Sequence, residues 1–431
     1  MNRIVRPHLA CAVLSLSLLI PSWSRAAEIN IVSDSLLRSY ERDTSAKTNI
    51  AVMPLYEFLQ VESGSLTKPG LSFHAYGWGR SDLGDRAFFT DNESGELLYG
   101  YFEYTSDHRD FNTRLGRQNI FGGPTNEVVD GVSLGGEIVP NLGLMVFGGL
   151  PVSLTEENGV GGDLAYGGKL SYSFPGKHRL AVSYRMIESN STRDDEVVGL
   201  DLFLVLPKDV DLSGMSTRSL VTDDWREHLY EARFSLDEVV VRPYFQQLQY
   251  ADLFNSNTNS ANPFRYLAGT GEKLATAGFD LSWMGMEGWE FGAKSKYHSF
   301  SVRTDDAYYV SALATWHSEE MSMVGIEAGV MDGDDPRDEY LLARLFCYWD
   351  EIPFSLPIGF VTGDLIYADY GRQINNKGDS LFLSVGGGKK FLDGALEVKL
   401  AGDYASDPYY KEDYRSTLVV TYRYAVINED E

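Results

Sequence analysis

The chain has 431 residues, among them 26 Tyr, 22 Phe and 7 Trp, and a formal net charge of −25. So acidic a chain is poorly suited to nucleic acid, because phosphates select basic surfaces. After the N-terminal segment no apolar run reaches the roughly 18 residues that a membrane-spanning helix needs, which excludes a helical membrane protein.

The N-terminal segment has a composition of its own. Arg3 and Arg6 precede the apolar stretch 9–20, and Ser24 and Ala26 occupy the small-residue positions of a cleavage site. This is the layout of a secretory signal peptide, and the apolar stretch is too short to serve as a membrane anchor. We therefore expect a signal peptide over 1–26 and one mature domain over 27–431.

The mature chain is marked by runs of alternating apolar and polar residues. In 288–301, for example, Trp289, Phe291 and Tyr297 fall on one face of a strand, while Lys294 and Lys296 fall on the other. The pattern predicts 22 strands, at 29–41, 53–61, 70–79, 97–106, 112–119, 128–138, 142–150, 164–174, 179–189, 196–206, 211–218, 226–236, 238–250, 273–284, 288–301, 306–317, 321–331, 338–349, 358–370, 380–390, 394–405 and 413–424.

The connections between these strands alternate in kind. Tight ones, rich in Gly, Pro, Asn and Asp, are expected at 139–141, 175–178, 207–209, 237–238, 285–287, 318–320 and 392–394. Longer polar or acidic ones are expected at 80–96, 151–163, 190–195, 251–272, 332–337, 371–379 and 405–412. If the first strand runs outward, every tight turn falls on the periplasmic side of an outer-membrane barrel.

Together these features predict an all-β fold, a transmembrane antiparallel up-and-down β-barrel of about 22 strands within a range of 16–22. The first strand follows the signal peptide directly, so we expect no N-terminal plug. The alternative is a secreted sandwich array or β-helix. It is disfavoured because no linker divides the chain and because the apolar faces would need a second sheet to cover them.

Three segments resemble bacterial outer-membrane porins. Residues 114–121 with Asn126 and 129–131 are similar to the "LGRQ" strand and "DG" element of porin-like and alginate-export-like barrels. Residues 54–59 and 71–80 are similar to porin-like proteins of metal-reducing anaerobes, some of which form the barrel of porin–cytochrome conduits. The resemblance implies a barrel channel without identifying its solute.

Strand parity selects basic residues that face the lumen. They are Arg114, Arg185, Arg233, Arg242, Lys294, Lys296 and Arg423. In an open channel such residues set a field that selects solutes, whereas the plainer interpretation is that they are solvated residues of a polar inner wall. Arg117 shares parity with Leu115, which leaves its orientation open.

The leading functional prediction is an outer-membrane porin of a Gram-negative bacterium, a passive channel for small hydrophilic solutes or ions. The alternative is a barrel sheath that houses a partner such as a multihaem cytochrome. We expect outer-membrane lipid as a partner, no nucleic acid, and no cofactor or metal. No enzyme is expected either, because the GxSxG match at 131–135 lies in a strand pattern rather than at a strand–turn–helix elbow.

Overall fold

A computed structural model of the protein describes residues 28–43, 47–85, 88–89, 91–122, 125–152, 162–174, 177–250, 272–302, 306–319, 322–335, 338–350, 359–409 and 411–426. The predicted signal peptide over 1–26, and with it the question of a plug, lies outside these residues. Residues 251–271 of the predicted connection 251–272 also lie outside the described residues. Within the described ranges, no helix is long and apolar enough to cross a membrane.

The described chain folds into successive β-strands. They are β1 (Glu28–Arg42), β2 (Ile50–Val52), β3 (Pro54–Gly64), β4 (Gly70–Asp82), β5 (Glu93–Thr105), β6 (Phe111–Gly122), β7 (Thr125–Val139), β8 (Leu142–Pro151), β9 (Leu164–Phe174), β10 (His178–Ser189), β11 (Thr192–Leu206), β12 (Val210–Ser219), β13 (Asp224–Leu236), β14 (Val239–Gln249), β15 (Lys273–Met286), β16 (Trp289–Phe300), β17 (Asp306–His317), β18 (Met323–Gly333), β19 (Tyr340–Asp350), β20 (Phe360–Ile374), β21 (Lys377–Phe391), β22 (Leu396–Ser406) and β23 (Asp413–Val426). A 3-10 turn, Leu392–Gly394, joins β21 to β22.

The strands form one closed cylinder. Each strand pairs antiparallel with the next, and β1 closes the sheet because Leu37 pairs with Leu55 on one side and with Leu418 of β23 on the other. β2 and β3 are separated only by Met53 and keep one register against β1, so they form a single wall strand. The wall thus has 22 strands, which confirms the predicted barrel and its strand number, and no edge is left open.

The two faces of the wall differ as the alternation predicts. Leu71 and Leu115 are each 59% exposed and Leu400 is 60% exposed, although all three lie within strands. Such exposure of large apolar side chains along one face of a whole sheet is typical of a surface that contacts lipid. The opposite face carries most of the ion pairs described below.

We call the end that holds Glu28 and Val426 the terminal rim and the other end the distal rim. All seven predicted tight connections join strands at the terminal rim, where Asn141, Asp237 and Gly288 have positive φ angles of 72°, 50° and 72°. The strands that flank the predicted connection 251–272, β14 and β15, meet the distal rim at Gln249 and Lys273. The predicted short connections therefore lie together at one rim, as the sequence predicts.

The predictions of long connections at 190–195 and 371–379 are wrong. The strands β10 and β11 run on to a turn at Asn190 and Ser191, and β20 and β21 run on to a turn at Asn375 and Asn376. Both turns have positive φ at their two central residues, the conformation of a type I′ hairpin, which Asn tolerates well. Residues 190–195 and 371–379 resemble loops because they are polar, yet they include the ends of strands at the distal rim.

Candidate functional site

Ion pairs between non-adjacent strands identify the inner face of the wall. Arg185 of β10 contacts Glu127 of β7, although two strands lie between them. Three strand spacings amount to about 14 Å along the wall, so the two side chains meet where the curved sheet brings them together, on its concave side. Lys169 of β9 and Asp201 of β11 likewise pair across β10 at 2.8 Å. The face with these pairs is the lumen side.

The strand register places all seven predicted lumen residues on this inner face. They alternate with outward residues such as Leu115, Val182 and Tyr297, which are 59%, 53% and 47% exposed. Their part in solute passage stays a prediction, but their surroundings divide them into three groups.

Arg185 is the buried member. Its side chain is only 3% exposed and contacts the carboxylates of Glu127 and Asp195, while Arg226 donates to Asp195 at 3.0 Å. We call these four residues the polar cluster. Because two arginines balance two acids, the cluster is neutral, and Arg185 is held by protein carboxylates rather than by lumen water.

An apolar patch lies on the inner wall around the polar cluster. It consists of Ile120, Val129, Phe147, Ala165 and Ile187, each at most 6% exposed. Ile187 and Val129 follow Arg185 and Glu127 by two residues on the same face of their strands. The inner wall from β6 to β10 is therefore packed near the distal rim rather than lined by solvated side chains.

Three of the predicted residues are partly exposed and paired. Arg114 lies 3.1 Å from Glu103, Lys294 lies 3.1 Å from Glu327, and Arg242 lies 3.5 Å from Asp280. Their side chains are 34%, 37% and 49% exposed, so they border the lumen. Each of these pairs is neutral overall, so the three pairs make the wall polar without adding net charge.

The other three predicted residues are Arg233, Lys296 and Arg423. Among the described residues no carboxylate forms an ion pair with any of them, and the Lys296 ammonium lies 6.0 Å from the ring centroid of Tyr309.

Strand parity also places on the inner face basic residues that were not predicted to lie there. Arg344 donates from Nε and Nη2 to Asp364 at 2.9 and 2.6 Å, on the inner face of β19 and β20. Lys169 and Arg226 are further examples. The sequence signal for Arg344 was present. In the strand 338–349 it falls on the face opposite Leu341 and Leu345, just as Lys294 falls on the face opposite Phe291 and Tyr297.

Aromatic side chains on the inner face were likewise not predicted. Three adjacent strands, β3, β4 and β5, each place two of them on the lumen side, and all are partly exposed. We call this set the aromatic lane; its members are Tyr56, Phe58, Tyr76, Trp78, Tyr99 and Tyr101. Their parity with Gln60 and Glu62 is the signal that indicates an inward orientation.

Arg117 lies on the outer face, which settles its orientation. It is the direct partner of Asp130 between β6 and β7, on the face of Leu115 and Val132. Its Nε and Nη2 donate to the two carboxylate oxygens at 2.8 and 2.9 Å, and its Nη1 donates to the Leu97 carbonyl at 2.9 Å. A guanidinium paired in this way can lie among apolar outer residues at a reduced penalty.

At the distal rim, the connection before β5 is held by an ion pair to the connection before β2. Lys47 donates to Asp85 at 2.9 Å, and this bond holds the pKa of the Asp85 carboxyl below its usual range. In the parts of the chain that the structure describes, no group of three or more His, Cys, Asp or Glu side chains is arranged to hold a metal ion.

Solved structures with similar folds include several barrels. The translocation pore of the P pilus usher PapC aligns with a TM-score of 0.52 at 10% identity, over 93% of this chain and 100% of that chain. The likeness is one of fold. OccAB4 of Acinetobacter baumannii (TM-score 0.46, 9% identity, 94% of this chain and 100% of that one) and a BenF-like porin from Pseudomonas fluorescens Pf-5 (0.45, 10%, 93% and 99%) superpose less well and add no argument of their own.

No protein-family profile matches the chain, and no curated protein is similar to it in sequence. The fold therefore rests on the closed register of the strands together with the PapC pore.

Proposed function

We propose that the protein is an outer-membrane porin, a passive channel for small hydrophilic solutes or ions. The observation that carries the proposal is the division of one closed wall into two faces, apolar outside and charged inside. Hydrocarbon accepts the first face, and water is the medium that solvates the second. A cylinder with these faces offers a polar route across a membrane.

The proposal extends to location and orientation. A cleaved signal peptide over 1–26 would deliver the chain to the periplasm of a Gram-negative bacterium, from which barrels enter the outer membrane. The short connections of the terminal rim and the position of Glu28 and Val426 then favour a periplasmic terminal rim. The longer connections of the distal rim would face the outside.

Conductance in planar lipid bilayers tests the channel directly. Purified protein, refolded or extracted in mild detergent, is expected to insert in discrete current steps of constant size, because each barrel adds one aqueous path. Protein heated and denatured in the same detergent serves as the control. Folded protein that enters the bilayer and carries no current contradicts the proposal. Haem that remains with the purified barrel contradicts it as well and supports the sheath.

A further inference from the structure

We propose that the aromatic lane is a binding track for neutral carbohydrate chains within the lumen, an inference that rests on the proposed channel and names its solute class. The lane is the surface that Tyr56, Phe58, Tyr76, Trp78, Tyr99 and Tyr101 form on three adjacent strands. The spacing of its rings, the polar groups beside it and the charges at its ends favour this class of solute.

The rings of the lane are continuous. Tyr56 lies 6.1 Å from Trp78 and 6.2 Å from Phe58, and Tyr99 lies 5.6 Å from Tyr76 and 5.7 Å from Tyr101, centroid to centroid. The two groups follow one another along β4, where Tyr76 and Trp78 are two residues apart on one face, about 7 Å. The lane therefore runs along the wall as a track of flat apolar surfaces rather than as one isolated pocket.

Polar groups border this track toward the terminal rim. Glu62 accepts from Asn30 Nδ2 at 2.8 Å and lies 3.2 Å from His74 Nδ1, and the His74 ring stacks on Tyr101 at 5.0 Å. Glu103 lies 3.1 Å from Arg114 Nε. Carboxylate, imidazole and guanidinium groups beside flat rings suit a sugar, because a pyranose has an apolar C–H face that stacks on rings and a rim of hydroxyls that form hydrogen bonds.

The charges at the ends of the track favour a neutral solute over a cation. The Arg114 guanidinium lies 5.2 Å from the ring centroid of Tyr101 at the end toward the terminal rim, whereas that of Arg80, at the distal end, lies 3.9 Å from the ring centroid of Phe89, which is not part of the lane. Arg114 therefore already occupies the position over Tyr101 that an organic cation would take. Because Glu103 pairs with Arg114 and the Glu62 carboxylate lies beside the same end, that end has no excess of positive charge to attract an anion either.

The test is blockade of the channel by a neutral oligosaccharide. Maltohexaose and cellohexaose are added separately to bilayers that contain open channels, and the current is recorded against sugar concentration. A reversible, saturating decrease in current is expected, since a chain stacked on the rings obstructs the lumen. Benzoate is the comparison solute, because an aromatic acid would also stack on the rings but lacks the hydroxyls.

Matched variants locate the site. Trp78→Ala and Tyr76→Ala are each expected to raise the half-blocking concentration about tenfold, the effect of losing one stacking partner, whereas Trp78→Phe retains most of the block. Tyr348→Ala is the control, because Tyr348 is an inner-face ring on β19 that stacks with Phe360 at 5.9 Å, away from the lane. Each variant is first shown to conduct.

The outcomes separate this inference from the proposed function. A conducting channel that neither sugar blocks overturns the carbohydrate track and leaves the channel intact, and so does blockade by benzoate alone or equal weakening by Tyr348→Ala. If the wild-type protein does not conduct, the proposed function fails, and calorimetric titration of the detergent-solubilised protein with maltohexaose still decides the inference. Binding that Trp78→Ala weakens supports the track, and no binding overturns it.

Discussion

Residues of the same type serve different purposes in this barrel, and their neighbours decide which. Arg185 and Lys294 share the inner face, yet Arg185 is 3% exposed between two carboxylates while Lys294 is 37% exposed beside Glu327. Arg117 has the same charge on the opposite face. Parity gives the side of the wall on which a charge lies, whereas burial and pairing depend on contacts between strands that are distant in sequence.

The outer ion pair leads to a stability prediction. Replacing Arg117 by Ala leaves the Asp130 carboxylate without its partner on a face that meets lipid, so we expect the free energy of unfolding to fall by about 1–3 kcal/mol. Urea unfolding in lipid vesicles, followed by tryptophan fluorescence, measures the change.

A second exposed pair provides the control for this experiment. Arg218 and Asp223 pair at 2.6 Å beside the turn after β12, where their side chains are 43% and 82% exposed. Arg218→Ala is expected to change the free energy of unfolding by no more than about 0.5 kcal/mol, because water replaces the lost partner. The double variant Arg117→Leu with Asp130→Leu should regain wild-type stability. If Arg117→Ala is as neutral as Arg218→Ala, the assignment of this face to lipid is contradicted.

At the scale of the strand, the sequence carries most of the fold. The alternation of Trp289, Phe291 and Tyr297 against Lys294 and Lys296 is enough to predict β16 and its two faces, and the structure confirms both. This works because one face of each strand meets a single medium, so parity is not blurred by a second packing layer.

The features that sequence did not reveal depend on contacts between strands. The turns at 190–191 and 375–376 were missed because polar strand ends at the distal rim look like loops. The lane was missed because alternation shows that Tyr76 and Trp78 share a face but not that Tyr56, Phe58 and Tyr99 lie beside them. Lateral neighbours of this kind follow from the register of pairing, which periodicity alone does not provide.

Close approach of two strands gives a prediction at this scale. A Cβ at Gly131 of β7 would lie 2.6 Å from the Cα of Gly149 on β8, whereas a Cβ at Gly402 of β22 meets nothing within 4 Å. We expect Gly131→Ala to lower the free energy of unfolding by about 1–3 kcal/mol, because the backbones must separate, and Gly402→Ala to be neutral within about 0.5 kcal/mol. The same urea titration compares them, and equal effects would contradict the register of β7 and β8.

The whole molecule follows from closure of the sheet. Pairing of β1 with β23 satisfies the backbone donors and acceptors at the seam, and Arg42 joins Asp413 across it at 2.7 Å. A membrane tolerates a sheet only in this closed form, because hydrocarbon offers no partners to an open edge. Closure also separates the two faces completely, and this separation is the basis of the proposed channel and of the proposed carbohydrate track.

Cysteine accessibility along β16 tests the separation of the two faces most directly. In a Cys347→Ala background, single cysteines replace Lys294, Lys296, Ala293 and Ser295 in protein reconstituted into liposomes, and a charged, membrane-impermeant thiol reagent is added. We predict rapid labelling at 294 and 296, which face water inside the barrel, and protection at 293 and 295, which face lipid. Uniform labelling, or labelling with the opposite parity, would contradict a water-filled cylinder in a membrane.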